Sequence, residues 1–152
     1  MRPTASDVDV RSAVEALRIA YCHRLDDGRL EEWLDLFTED AVVNYASREG
    51  ATEGRDALRS LAEDWLFAED ETRVHTVSNP LVDVADDRET ATGLWYYRAV
   101  TIDEDGSALL EQGRYDERYR HDDVTWRIAR LTTTVTYETH RSAGWAEPRP
   151  FE

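Results

Sequence analysis

The chain has 152 residues, of which 41% are hydrophobic, and it contains five Trp and seven Tyr. This length and composition are typical of one globular domain with a substantial core, and they argue against intrinsic disorder. The chain carries 33 acidic and 18 basic residues, so its formal net charge is −15. Such a charge argues against nucleic acid or an anionic membrane as a partner.

Every basic residue is Arg, and the acids are spread along the chain rather than gathered in a tail. This composition is typical of a halophilic organism, because high salt screens the repulsion between surface acids. The single cysteine, Cys22, excludes an internal disulfide, and the sequence has no zinc-type ligand spacing. No apolar run approaches membrane-spanning length, and the N-terminus lacks a signal-peptide core. We therefore expect a cytoplasmic single domain over residues 1–152, with its core at about 7–138 and a C-terminal extension at 139–152.

The first predicted element is an amphipathic helix over residues 7–25. Ser6 is a suitable N-cap with Asp9 three residues later, and Gly28 is the natural residue to end the helix. Its predicted apolar stripe consists of Ala16, Leu17, Ala20, Tyr21 and Leu25. Asp26 and Asp27 lie in its last turn, where the helix dipole disfavours each carboxylate by roughly 0.3–1 kcal/mol. A carboxylate in that place either has another role or is one of the many scattered acids.

The predicted elements that follow change from helices to strands. A short second helix contains Leu30, Trp33, Leu34 and Phe37 and ends at Thr38-Glu39-Asp40. Residues 41–46 alternate as a strand, residues 47–54 form a polar turn, and residues 55–68 form a third helix. Four longer strands are predicted at 74–84, 90–102, 107–120 and 124–137, separated by acidic turns. We interpret residues 1–5 and 144–152, which include Pro148 and Pro150, as irregular tails. The predicted class is α+β, with an antiparallel sheet curved around helices and enclosing a pocket.

Alternation along the strands indicates two polar residues on inward faces. Val124, Trp126 and Ile128 share one face of the last strand, and the next position on that face is Arg130. His75 shares its face with Val77. Buried polar side chains are costly unless they are paired, so both residues are candidates for a site. The alternative interpretations are a satisfied core histidine and an arginine that emerges into solvent at the strand end.

Several motifs in order along the chain resemble the SnoaL-like branch of the nuclear-transport-factor-2-like superfamily. They are Tyr21-x4-Asp26-x-Gly28-x4-Trp33-Leu34-Asp35-Leu36-Phe37-Thr38-Glu39-Asp40-Ala41, Gly54-Arg55-Asp56-Ala57-Leu58, His75-x3-Asn79-Pro80 and Trp126-Arg127-Ile128. The resemblance spans about residues 10–137. It implies a cone-shaped α+β barrel, in which three N-terminal helices pack on a strongly curved, mostly antiparallel sheet around a deep apolar pocket.

Within that superfamily, the chain is most similar to scytalone dehydratase, the bile-acid 7α-dehydratases and hexachlorocyclohexane dehydrochlorinase. These enzymes eliminate water or HCl from a small cyclic substrate without metal or cofactor. The resemblance implies that Asp26 and His75 are catalytic, and it adds Tyr21, Tyr45 and Arg130 to the site. Thr101, Gly113 and Tyr115 stand where scytalone dehydratase has a second His and a Ser/Asn pair, so scytalone is not the expected substrate.

The chemistry explains why these residue types are expected together. A histidine has an unperturbed pKa of about 6.5, which suits removal of a proton from carbon near neutral pH. An aspartate bonded to its ring fixes the tautomer and stabilises the imidazolium. Tyr21 and Tyr45 would donate hydrogen bonds to a substrate oxygen, and Arg130 would hold developing negative charge. The predicted apolar wall consists of Trp65, Trp95, Tyr97 and Tyr115, which are otherwise ordinary core aromatics.

These considerations favour a lyase or an isomerase that uses neither cofactor nor metal and acts on a small cyclic apolar ligand. The alternative is a non-catalytic small-molecule-binding or accessory protein, like the β subunits of ring-hydroxylating dioxygenases. A third possibility, an isomerase like ketosteroid isomerase, needs a carboxylate base and a protonated acid. Glu111 and Glu117 are the candidate acids, and the strand pattern does not distinguish them. The resemblance also implies a homodimer or homotrimer, with residues 137–151 as an interface or a lid.

Overall fold

The fold is that of a computed structural model that describes residues 6–69 and 71–145. The helices are α1 (Asp7–Asp26), α2 (Leu30–Leu34) and α3 (Arg55–Leu61), and α3 continues into a π-helical turn (Ala62–Leu66). The strands are β1 (Phe37–Asn44), β2 (Thr52–Glu53), β3 (Thr72–Val84), β4 (Thr90–Ile102), β5 (Ala108–His121) and β6 (Trp126–Arg141). No helix of the described residues is long and apolar enough to cross a membrane. The predicted tail at 1–5 lies outside the described residues, and so does the predicted tail at 144–152 except for residues 144–145.

Helix α1 begins and ends as predicted, but its buried face differs from the expected stripe. Ser6 and Asp9 form a reciprocal capping box, and Gly28 follows the helix with φ +70°. The buried residues are Val10, Val14, Leu17, Arg18, Tyr21, Cys22 and Leu25. Ala16, which we placed in the stripe, is exposed. The helix is therefore rotated so that an arginine faces the core.

Strand β1 begins four residues earlier than the sequence predicts. Phe37 pairs with Ile128 of β6, and the Ile128 N–H donates to the Leu36 carbonyl at 2.7 Å. The polar run at residues 38–40 therefore continues β1 instead of ending a helix, since pairing with β6 overrides the local turn propensity. Val43 and Tyr45 are buried on one side as predicted, with relative exposures of 1% and 6%.

The six strands form one curved sheet in the order β2-β1-β6-β5-β4-β3. All neighbouring strands are antiparallel except β1 and β6, which are parallel. The predicted α+β class, with three helices on a strongly curved, mostly antiparallel sheet, is confirmed. The sheet is not closed into a barrel, because β2 and β3 remain at its edges. Helix α1 packs against β3 on the concave face, where the core lies.

Irregular pairing in β6 changes the face that its residues present. Arg118 pairs with Arg130, but the next residue of β5, Tyr119, pairs with Ile128, so Ala129 is an extra residue. Such a bulge reverses the alternation that follows it. Ile128 and Leu131 are both fully buried, and Arg130 between them is exposed. The predicted inward position of Arg130 is wrong for this reason.

Candidate functional site

A cavity of about 410 Å³ lies on the concave side of the sheet. It is lined by side chains from α1, the segment directly after β1, the π-helical turn and strands β3 to β6. Of the predicted site residues, six line it: Tyr21, Tyr45, Trp65, His75, Tyr97 and Tyr115. Its volume falls within the usual range for small-molecule sites.

Asp26 and His75 meet at this cavity. The carboxylate Oδ2 of Asp26 accepts the backbone N–H of His75 at 2.7 Å, and its Oδ1 lies 2.6 Å from the ring Nδ1. The two side chains are only 19% and 12% exposed. A carboxylate accepts from Nδ1–H, so the neutral ring has its basic lone pair on Nε2. The aspartate at the unfavourable helix end therefore has a partner from another element.

Tyr21 and Tyr45 also meet at the wall of the cavity. Their hydroxyl oxygens are 2.7 Å apart, so one hydroxyl donates to the other. Burial raises the pKa of Tyr21 well above its ordinary value, and the neighbouring Tyr45 adds to this effect. Burial likewise raises the pKa of Tyr45. Both phenols are therefore protonated near neutral pH, and the pair has one O–H left to offer a ligand.

Aromatic rings form much of the cavity wall. Trp65 packs edge-on against Tyr45 with ring centroids 5.4 Å apart, and Tyr97 lies 4.4 Å from Tyr115. Trp65 belongs to the π-helical turn, a distortion that is frequent at functional sites. Trp95 does not line the cavity: it is buried behind it and donates to the Tyr119 hydroxyl at 2.9 Å. The predicted pocket role of Trp95 is therefore wrong.

Part of the cavity lining is polar. Glu71, Arg73, Asp103, Glu111, Glu138, His140 and Arg141 all contribute to its lining. Glu111 accepts a hydrogen bond from the Tyr97 hydroxyl at 2.5 Å. In the sheet, Ala99 of β4 pairs with Glu111 on one side and with His75 on the other. Burial and the bond to Glu111 raise the pKa of Tyr97. Adjacent strands are about 4.8 Å apart, so Glu111 and His75 lie roughly 10 Å apart across the sheet.

Two functional candidates were missed or left undecided by the sequence analysis. Arg18 is fully buried on α1, and its Nη1 lies 2.8 Å from Oε1 of the fully buried Glu117. The spacing of Arg18 from Val14, Tyr21 and Leu25 is that of one helix face, which is a usable signal. Glu117 alternates with Tyr115 and Tyr119 on β5, which also indicates an inward position.

Arg130 is absent from the cavity lining, as its exposed position requires. Among residues 6–69 and 71–145, no group of three His, Cys, Asp or Glu side chains is arranged as a metal site. The expectation of a site without metal or cofactor stays a prediction.

The family model described as a SnoaL-like domain matches residues 6–132. A provisionally named aromatic ring hydroxylase from Novosphingobium aromaticivorans has 26% identity and a TM-score of 0.81, with 90% of this chain and 96% of that chain covered.

A second protein from that organism, provisionally named a scytalone dehydratase, has 26% identity, a TM-score of 0.77 and coverages of 90% and 94%. A type 2 hexachlorocyclohexane dehydrochlorinase, LinA, shares the fold with a TM-score of 0.82 at 19% identity, with coverages of 95% and 99%. No curated protein matches the chain.

Proposed function

The chain belongs to the SnoaL-like domain family, and we propose that it is a lyase of the dehydratase type, or an isomerase, that uses no cofactor. The proposed substrate is a small cyclic molecule with an apolar ring. The observation that carries the proposal is the 2.6 Å contact between His75 Nδ1 and Asp26 Oδ1 at the wall of an aromatic cavity. The names of the dehydratase and dehydrochlorinase structures support the same reaction class.

In the proposed elimination, Nε2 of His75 removes a proton from a ring carbon. The electron pair of that C–H bond forms the new double bond, and the leaving group departs with its own bonding pair. Asp26 stabilises the imidazolium and keeps Nε2 directed at the cavity, because both of its oxygens are bonded to His75. The double contact with main chain and ring makes Asp26 an orienting group rather than a free base.

The tyrosine pair is the proposed electrophile. Tyr21 precedes Asp26 by five residues, about 7.5 Å along the helix, so the phenols and the imidazole stand at separate points of one wall. The free O–H of the pair donates to the substrate oxygen or to the departing group. Since burial raises the pKa of both phenols, this donor stays protonated near neutral pH.

A non-catalytic binding protein is the second candidate. It is favoured by the Tyr21–Tyr45 hydrogen bond, since two hydroxyls that satisfy each other leave only one donor for a substrate. In that case the aromatic wall would hold a ring-shaped ligand without turnover.

The experiment that tests these proposals uses a panel of cyclic β-hydroxyketones, β,γ-unsaturated cyclic ketones, cyclic alcohols and halogenated rings. Each compound is incubated with the protein in deuterium oxide and followed by proton NMR. Loss of water or hydrogen halide, or deuterium at the carbon next to the new double bond, supports the enzyme. A compound that raises the Tm and is recovered chemically intact and unlabelled supports the binding protein.

We also propose that the chain is cytoplasmic and forms a homodimer or homotrimer. Tyr96 and Tyr137 support assembly through the outer sheet face, since they are 45% and 52% exposed. Sedimentation equilibrium at several salt concentrations tests this proposal, and a monomer at all of them would contradict it.

A further inference from the structure

We propose that Arg18 is a positioning residue of this site: its guanidinium, held between the rings of Tyr21 and Tyr115, fixes the Tyr21–Tyr45 pair in the cavity wall and places positive charge directly behind it. The inference deepens the proposed function and rests on it. It also supplies, from α1, the cation that the sequence analysis expected from Arg130.

The guanidinium carbon of Arg18 lies over the rings of both tyrosines. This carbon, Cζ, lies 3.9 Å from the centroid of the Tyr21 ring and 3.6 Å from that of Tyr115. Both rings line the cavity, whereas Arg18 itself has no exposed surface. A desolvated cation over an aromatic face is attracted by the ring quadrupole, and here one planar group holds two rings at once. Arg18 therefore restricts the tilt of Tyr21 and with it the direction of the Tyr21 hydroxyl.

The counter-charge lies on the side away from the cavity. Glu117 Oε1 accepts from Arg18 Nη1 at 2.8 Å, and Oε2 accepts the hydroxyl of Tyr119. Tyr119 in turn accepts the Trp95 N–H at 2.9 Å, and neither ring lines the cavity. Along β5 the order is Tyr115 at the wall, then Glu117, then Tyr119. The buried ion pair thus has its positive end against the cavity wall.

Fold stability gives little reason for such a pair. The desolvation of two fully buried charges generally offsets their attraction, and apolar residues of similar volume often serve as well. Moreover, Arg18 Nε and Nη2 have no hydrogen-bond partner among the described residues. The buried ion pair is explained if the positive charge of Arg18 acts on the tyrosines of the site.

The titratable groups around Arg18 are Tyr21 and Cys22 on α1, Tyr45 directly after β1, and Tyr115, Glu117 and Tyr119 on β5. Burial raises the pKa of Tyr21 and of Tyr45, and the charge of Arg18 opposes this rise in both. A phenol with a nearby cation is a stronger hydrogen-bond donor. Preorganised donors of this kind stabilise negative charge that develops in a transition state.

The test places 3,5-difluorotyrosine at position 21, because its phenol ionises closer to neutral pH than that of tyrosine. Fluorine NMR then gives its ionisation midpoint in the otherwise unchanged protein and in three backgrounds. Arg18→Met with Glu117→Gln removes both charges and leaves no buried ion unpaired. Glu117→Gln alone leaves the cation without its counter-charge. Arg29→Met is the control, since Arg29 is about half exposed, pairs with Glu32 and lies outside the cavity.

The charge-free double variant should raise the ionisation midpoint by about one pH unit, a tenfold change in the ionisation constant. Glu117→Gln alone should lower the midpoint, and Arg29→Met should leave it unchanged. A purely structural role would not move the two variants in opposite directions. If the double variant does not fold, Glu117→Gln decides: a lowered midpoint supports the inference. An unchanged midpoint in Glu117→Gln overturns the inference. A position-21 phenol that stays protonated until the protein unfolds at alkaline pH overturns it as well.

This readout needs no turnover, so its result is separable from the proposed function. If Arg18 acts as proposed in an active enzyme, the double variant also lowers kcat with little change in KM. If no substrate is turned over, a shifted midpoint still establishes the electrostatic role of Arg18, and the proposed elimination alone fails.

Discussion

Asp26 bonds His75 twice, through the backbone N–H at 2.7 Å and through ring Nδ1 at 2.6 Å. The end of α1 and the beginning of β3 are thereby joined at the cavity by one carboxylate. The backbone bond fixes the carboxylate, and the ring bond fixes the imidazole.

Asp26→Asn should lower kcat by about 10²–10⁴-fold without unfolding the protein. The amide is nearly the same size, but it cannot stabilise an imidazolium and it permits the wrong ring tautomer. Steady-state kinetics on a substrate from the panel would measure the effect. Asp27→Asn is the matched control, because the neighbouring Asp27 is exposed at the C-cap. Equal activity of the two variants would exclude a role for the Asp26 charge.

Tyr45→Phe should reduce the free energy of unfolding by about 1–3 kcal/mol, because it leaves the buried Tyr21 hydroxyl without its partner. Urea unfolding measures this change. Tyr137→Phe is the control. It removes a hydroxyl that donates a hydrogen bond to Gln112, but the Tyr137 side chain is 52% exposed. The control should cost much less. Equal losses of unfolding free energy in the two variants would indicate that the hydrogen bond of the buried tyrosine pair stabilises the fold no more than an exposed one.

Stability should fall steeply above about pH 10. The pKa values of Tyr21, Tyr45 and Tyr115 are raised by burial, so these phenols bind protons more tightly in the folded chain than in the unfolded one. Their contribution is fully present below the unfolded pKa of about 10 and is lost as the pH rises beyond it. Urea midpoints between pH 8 and pH 12 would show the loss. Replacing Tyr115 by Phe should make the decline shallower, and an unaltered slope would contradict this assignment.

Gly113→Ala should destabilise the sheet by about 1–3 kcal/mol. An added Cβ would lie 2.1 Å from the Thr134 carbonyl oxygen and 2.8 Å from Cε1 of Tyr97. Backbone and cavity wall would both have to move. Thermal unfolding measures the loss of stability. Ser47→Ala is the control, because it changes a residue of the cavity lining that lies in a turn outside the sheet. A Tm for Gly113→Ala within one degree of the unaltered protein would mean that β5 and β6 are less tightly packed than the structure indicates.

Salt should stabilise the fold, as the halophile hypothesis requires. A net charge of −15 repels itself when it is unscreened, and molar salt reduces the screening length to about 3 Å. The Tm should therefore rise by several degrees between low and molar potassium chloride. A Tm that is independent of salt would contradict the hypothesis.

The elements governed by local pattern were predictable, and those governed by pairing between distant segments were not. A strand was predicted at residues 90–102, and β4 has those bounds, with side-chain burial that alternates from Thr90 to Ala99. The bulge at Ala129 has no local signature, and it turned Arg130 outwards. Likewise, only the pairing of Phe37 with Ile128 shows that β1 begins before the polar run.

The candidate site likewise contains residues that the sequence predicts and residues that only the structure brings together. Asp26, His75, Tyr21 and Tyr45 were found because motif spacing resembles a family. Tyr21, Tyr45 and His75 line one cavity, and Asp26 is bonded to His75 there. Arg18 lies on the helix face of Val14 and Tyr21, yet a charged residue is not expected in a core. Its partner Glu117 comes from a strand about one hundred residues later, and the sequence does not connect the two.

The most direct test of the central claim is the kcat of His75→Ala beside that of His23→Ala, an exposed histidine on α1. Ligand affinity and Tm are measured on the same samples. The account predicts that His75→Ala loses about 10²–10⁴-fold or more in kcat while it stays folded and binds ligand within a few-fold, and that His23→Ala is unaffected. A folded His75→Ala protein with unchanged kcat would contradict the assignment of His75 as the base.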